Sequence, residues 1–293
     1  MTFVAAAVCP HPPLLVPEVG GAEPVAVRPI ALDAVRRLTA AGLDRIVIVG
    51  DAGSEAATVA APETGGIEYG PTATGTYAGY GVDLVVPLAH GQAAPLEARP
   101  DPPLPLSLTA GAWLLANSGF TGARTALGVP AAYSPSQAAK LGERLVTGSA
   151  PDERLGLLVM GDGSARRGIK APGHLDERAA PFDAAVATAL AGVDPAGLLD
   201  LDPVLARDLL AAGRASWQVL AGALLAATSG TTATSVTSGT TVSAASAGTA
   251  VSRDDTRRAV WNGELRYDDA PYGVGYLVAV WIRGDAGREE LRV

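Results

Sequence analysis

From Phe3 to Val8 every side chain is apolar, and the run stops at Pro10, Pro12 and Pro13. A short unbroken apolar stretch, closed by residues that cannot continue a ladder, predicts a buried strand. Between Pro24 and Ala41 the period changes. Val27, Ile30, Ala31, Ala34, Val35 and Leu38 recur at helical spacing, with Arg28, Asp33, Arg36 and Arg37 off that face and Gly42 closing the segment. Arg45 to Gly50 (RIVIVG) predicts a second buried strand ending at Asp51, which completes a βαβ unit. Val82–Leu88, Arg124–Val129 and Leu155–Met160 are further strand candidates, and Ser134–Gly148 and Ala179–Leu190 read as helices. Such alternation predicts a three-layer α/β domain with a mostly parallel central sheet and helices on both faces.

Leu198 to Ala227 is helical in pattern and carries Asp208, Arg214 and Trp217. Residues Ser229 to Ser252 then hold Ser, Thr, Gly and Ala with no charge and almost nothing large, a composition that cannot offset its ordering entropy by burial, so a flexible surface loop is expected there. Ala259–Tyr267 and Val274–Ile282 are predicted strands joined by DDAPYG, whose Asp, Pro and Gly suit a turn. They form an expected C-terminal antiparallel pair in the same sheet, and the whole chain, 1–293, reads as one domain.

Composition narrows the chemistry. The chain has 293 residues, 48% of them hydrophobic, enough for a large core. A formal net charge of -8, with the signs scattered, offers no basic patch to nucleic acid. The single cysteine, Cys9, supplies neither an internal disulfide nor a CxxC metal pair, and a reducing cytoplasm is the expected location. No Lys or Arg precedes the first apolar run and no stretch approaches the ~20 apolar residues of a membrane span, so neither a secretory leader nor a membrane partner is expected.

The candidate chemistry rests on His11, Glu18, Asp51, His90, Asp162, Ser164, His174 and Arg214. A GxSxG elbow is missing, and the glycines match neither the phosphate-cradling GxxxxGK motif nor GxGxxG. Ligands of open parallel sheets gather beyond the carboxyl ends of the strands, where His11, Asp51 and the Gly161-Asp162-Gly163-Ser164 turn all fall. A histidine at a strand end can hold a metal, and two histidines with one carboxylate form the facial triad of non-haem Fe(II) oxygenases.

CPHPPLLVPE, residues Cys9 to Glu18, resembles the opening of the class III extradiol ring-cleavage dioxygenases, the superfamily of the protocatechuate 4,5-dioxygenase beta subunit and the Memo proteins. RIVIVGDAG resembles that family's second strand, and His90-Gly91 with Pro95-Leu96 its DHG-x-x-x-PL segment. LLVMGDGSARR resembles its Ser-Gly-Asp-Leu-Ser-His turn, followed by a helix beginning near Pro181-Phe182-Asp183, and RASWQVLAGAL its late Glu-x-x-Trp helix. The resemblance implies Fe(II), O2 and a catecholic diol whose ring is cleaved beside the hydroxyls.

Carried over residue by residue, it implies a first iron ligand at His11 and a second at Asp51, where the family has histidine. The glutamate ligand falls at Arg214, whose fixed positive charge opposes a metal. The acid/base histidine falls at Ala165, which transfers no proton. His90 corresponds to a substrate-side histidine, with Ala89 in place of the aspartate, and His174 is an alternative base or ligand. Asp162 and Ser164 complete the implied pocket.

Two readings follow. One is an oxidoreductase of extradiol type with Fe(II) on His11 and Asp51. The other is a non-catalytic scaffold, without cofactor, that binds a small molecule or another subunit, as a homo-oligomer or with a partner chain. A weaker option is hydrolysis on Mn²⁺ or Mg²⁺ held by Asp51, Asp162 and His11. In the non-catalytic reading Asp51 and Arg214 are expected to pair bidentately and fill the former metal site.

Overall fold

The computed structural model describes residues 2–21, 25–53, 65–91, 103–229 and 260–284. Strand β1 (Thr2–Cys9) is followed by a short helix α1 (Pro17–Gly20), helix α2 (Val27–Thr39) and strand β2 (Arg45–Asp51). After β3 (Ile67–Tyr69), β4 (Thr74–Thr76) and β5 (Val85–Pro87) come α3 (Leu106–Ala116), β6 (Ala123–Val129), α4 (Pro135–Thr147) and β7 (Arg154–Met160). Helices α5 (Ala179–Gly192), α6 (Pro195–Leu199), α7 (Pro203–Asp208) and α8 (Arg214–Ser229) precede the hairpin of β8 (Trp261–Asp269) and β9 (Tyr276–Arg283).

Seven strands form one sheet in the order β3-β6-β2-β7-β1-β9-β8. The four central strands β6, β2, β7 and β1 are parallel, while β3 and the β9-β8 pair run antiparallel at the edges. The mostly parallel sheet with a C-terminal antiparallel pair is therefore as expected. Its central strands are apolar on both faces because helices cover both. In β2, Val47 and Val49 enter the core under α4, α5 and α8, while Ile46 and Ile48 enter the core under α2 and α3. The helical face expected for α2 is the one it buries: Val27, Ala31, Ala34, Val35 and Leu38. Fully burying a side chain such as Leu38 contributes about 2 kcal/mol.

The structure departs from the sequence pattern in several places, the short strands β3 and β4 among them. The segment 198–227 is not continuous helix. Asp194 and Asp202 accept the backbone N–H of Ala196 and Val204, each followed by a proline at the first helical position, so α6 and α7 start anew; Leu210 at φ 56 then turns the chain before α8. Of Val82–Leu88 only Val85–Pro87 is strand, paired with β4 in a separate two-stranded sheet. Helix α3 lies where no element is expected, because it is buried nearly all round and its apolar residues carry no 3.6-residue period. The 229–252 segment lies outside the described residues except for Ser229, the last residue of α8.

One ion pair fixes the amino ends of β2 and β7. Arg45 Nε and Nη2 donate to the two carboxylate oxygens of Glu153 at 2.8 and 3.0 Å. The Arg45 hydrogen bond, partly opposed by burial, holds the Glu153 carboxyl below its ordinary value. A depressed carboxyl stabilises the fold above its unfolded pKa of 4.5 and loses that contribution as pH falls through the folded value. Glu153→Gln is therefore expected to cost about 1 kcal/mol at pH 7, with the difference in urea midpoints shrinking towards zero in acid. A deficit that persists unchanged in acid would mean the ion pair is not its source.

Candidate functional site

Pro10 ends β1, and the next residue is held by the neighbouring strand. Gly161 at the end of β7 donates its N–H to Cys9 O at 2.9 Å, and the His11 N–H reaches Asp162 Oδ1 at 2.8 Å. The same oxygen stands 3.7 Å from His11 Nδ1, which is buried and makes no hydrogen bond. His11 is 8% exposed. Asp162 thus fixes the backbone of His11 and faces one edge of its ring, which leaves Nε2 as the nitrogen that a ligand would meet. This is what the histidine between prolines does: the prolines end the strand, and the histidine joins it to the β7 turn.

Tyr276, the buried first residue of β9, feels the charge of Asp162. Burial raises its phenol above the ordinary value, and the Asp162 carboxylate adds to the effect. The turn between β8 and β9 packs on the β7 turn through Gly163 N to Gly275 O, 2.7 Å, and Gly275 N to Ser164 O, 2.8 Å. Ser164, a pocket candidate, is fully buried and committed to structure: its N–H goes to Asp183 Oδ1 and its hydroxyl to Leu209 O, and it accepts from the Arg166 N–H. No activated nucleophile is present at this serine.

The other candidates lie apart. Asp51 ends β2 as expected, but its Oδ1 accepts the Gly53 N–H at 2.6 Å, closing a local Asx turn. Arg214, 3% exposed, donates to Ala131 O, Tyr133 O and Gln218 Oε1, the last at 2.8 Å. The expected Asp51–Arg214 pair therefore does not form; backbone carbonyls of the β6–α4 connection offer the guanidinium a fork of acceptors nearer its own helix. His90 is the clearest correction. It is exposed, and its Nδ1 lies 3.5 Å from Nη2 of Arg124, which also bonds Phe120 O before the start of β6. Arg124 sits five residues before Val129, roughly 16 Å from the carboxyl end at ~3.3 Å per residue, so His90 belongs to the opposite end of the sheet from His11. His174 is exposed at φ 59 with its Nδ1 accepting the Leu175 N–H, and Glu18 is exposed in α1.

A buried residue left off the candidate list is Asp183, 1% exposed in the second turn of α5, bonded to Ser164 N and paired with Arg167 Nη1 at 2.7 Å. In the sequence it is marked by the Pro181-Phe182-Asp183 landmark and as a charge among alanines near the start of an apolar helix.

Among the described residues no three His, Cys, Asp or Glu side chains gather at metal-binding spacing. The donors do not fit a facial triad: the Asp51 carboxylate is engaged locally, and Arg214 is a fixed cation bonded to backbone carbonyls. Two surface depressions, one between the end of α2 and the α3–β6 connection and one between α5 and α6, contain none of the candidate residues. No helix among the described residues is long and apolar enough to cross a membrane.

No protein-family model matches the sequence, and no curated protein matches it. Among solved structures the chain is similar to an uncharacterized protein, JW3007, from Escherichia coli K12, with 13% identity over 95% of this chain and 99% of that one and a TM-score of 0.44.

Proposed function

We propose that this protein is an extradiol-dioxygenase-like scaffold that binds a small molecule, an aromatic diol or a similarly polar compound, at His11, Asp162 and Tyr276 without cleaving it. The observation that carries the reading is Arg214. At the place where the resemblance puts a carboxylate ligand stands a buried guanidinium held by Ala131 O, Tyr133 O and Gln218 Oε1. Such a group neither binds a metal nor is free to leave its acceptors. Ala165, where the resemblance puts the acid/base histidine, transfers no proton. What remains is a set of polar groups that can hydrogen-bond a ligand: the His11 ring, the Asp162 carboxylate and the Tyr276 phenol. A two-chain arrangement with a partner subunit is compatible with this reading.

The competing reading, a retained Fe(II) dioxygenase, is favoured by one feature, the buried His11 at the end of β1, whose Nδ1 makes no hydrogen bond and stands 3.7 Å from the Asp162 carboxylate. Anaerobic Fe(II) titration followed by catechol and air separates the two. The expected result is no stoichiometric iron, no yellow ring-cleavage product, and catechol binding that survives a chelator but weakens about tenfold in His11→Ala, the loss of one hydrogen bond to a buried partner. Near-stoichiometric iron with a coloured product would establish the dioxygenase instead.

A further inference from the structure

We infer that Asp183 is a positioning residue for this site, holding the turn that carries Asp162 and the turn that carries Tyr276 in one arrangement. The inference rests in part on the binding reading above. Its geometry stands independently. The Asp183 carboxylate lies in the angle between the two turns, with Oδ1 on the Ser164 N–H at 2.8 Å and Oδ2 on Arg167 Nη1 at 2.7 Å. Both turns present a glycine to it. A side-chain carbon on Gly163 would come within 2.7 Å of Oδ1, and one on Gly275 within 2.2 Å of Oδ2. Arg167, clamped by the carboxylate, also donates its N–H to Gly273 O at 3.0 Å. From Asp183 the contacts run through Ser164 to Asp162 and His11, and through Gly275 to Tyr276.

A carboxylate merely filling space would be an apolar residue at less cost. Burial pushes the Asp183 carboxyl up, against the hydrogen bond from Ser164 and the Arg167 pairing, and Asp268 on β8 adds repulsion. The charged groups facing it are thus Arg167 and Asp268. A buried carboxylate bonded to a backbone N–H of one turn and paired with an arginine held by the other ties the two turns together, which an apolar residue cannot do. Because burial penalises the charge, Asp183→Asn removes a cost and keeps an acceptor for Ser164, so it is expected to fold.

The test compares Asp183→Asn and Asp183→Ala by amide hydrogen exchange, by the NMR signals of the His11 ring and by catechol binding. In Asp183→Ala the amides of Ser164 and Gly275 are expected to exchange about tenfold faster or more, with β1 and β7 unchanged, the His11 ring signals shifted and catechol binding about tenfold weaker. Asp183→Asn should recover much of each. Unchanged exchange at Ser164 and Gly275 would overturn the clamp. Faster exchange with unaltered His11 signals and catechol affinity would make Asp183 a structural staple and overturn the positioning role. If the unaltered protein binds no catechol, the binding reading fails, and the His11 signals alone decide the positioning role: shifted in Asp183→Ala supports it, unshifted overturns it. Should Asp183→Ala not fold, Gly275→Ala displaces Oδ2 sterically and gives the same readouts.

Discussion

Gly222→Val is expected to lower the midpoint of thermal unfolding by more than about 6 °C, or to prevent folding, because it wedges two helices apart at backbone contact. A side-chain carbon on Gly222 of α8 would lie 2.0 Å from Ala139 O of α4, and one on Gly142 of α4 would lie 1.9 Å from Val219 O of α8. All of these neighbours are main-chain atoms, so no side-chain rotation relieves them. Overpacking a core ordinarily costs 1–3 kcal/mol, roughly, and separating two helices that both cover the sheet is at the upper end or beyond. Helix α8 contributes Trp217, Val219, Leu220, Ala221 and Ala223 to the core, so its displacement opens the layer above β1, β2 and β7. Gly222→Ala makes the sign diagnostic. In an open helix this change stabilises by about 0.5–1 kcal/mol. Here it is expected to destabilise, and a neutral or stabilised alanine variant, measured by calorimetry, would show that the crossing is not this close.

Arg214→Met is expected to cost about 3 kcal/mol in chemical denaturation, since a side chain of similar reach leaves three buried acceptors without donors at roughly 1 kcal/mol each. The acceptors belong to separate segments: Ala131 and Tyr133 on the β6–α4 connection, and Gln218 on α8 itself. Gln218 in turn donates Nε2 to the carbonyls of Leu198 and Leu201, so the network ties α8 to the connection before α4 and to α6. Arg214→Glu, which would recreate a carboxylate at the implied ligand position, should be worse, because it sets a negative charge against carbonyl oxygens. A loss below about 1 kcal/mol in Arg214→Met would show that the guanidinium is solvated and not structural. Stoichiometric iron in a folded Arg214→Glu protein would show that the scaffold still accepts a triad.

These two residues illustrate how unevenly the molecule was legible. Arg214 stood out in the sequence because the resemblance puts a carboxylate ligand there, and the side chain is buried. Its partner did not: Asp51 was a reasonable acceptor by position, whereas the carbonyls of Ala131 and Tyr133 have no sequence signature at all. Gly142 and Gly222 gain their meaning only where α4 and α8 cross on them. His90 resembled a pocket residue by its motif alone, yet the β4-β5 unit delivers it to the amino end of β6.

The sequence by itself determined the sheet, its helical layers and the placement of His11 at the end of β1. Those features follow from hydrophobic period and from proline, which act over a few residues and so are written locally. Only the tertiary structure decided that Asp162 holds His11, that Asp183 sits between two turns, that Ser164 is structural and that α3 is a helix. Each of these depends on groups remote in the chain meeting at hydrogen-bond distance. For α3, burial on every side removes the periodicity that would have announced it.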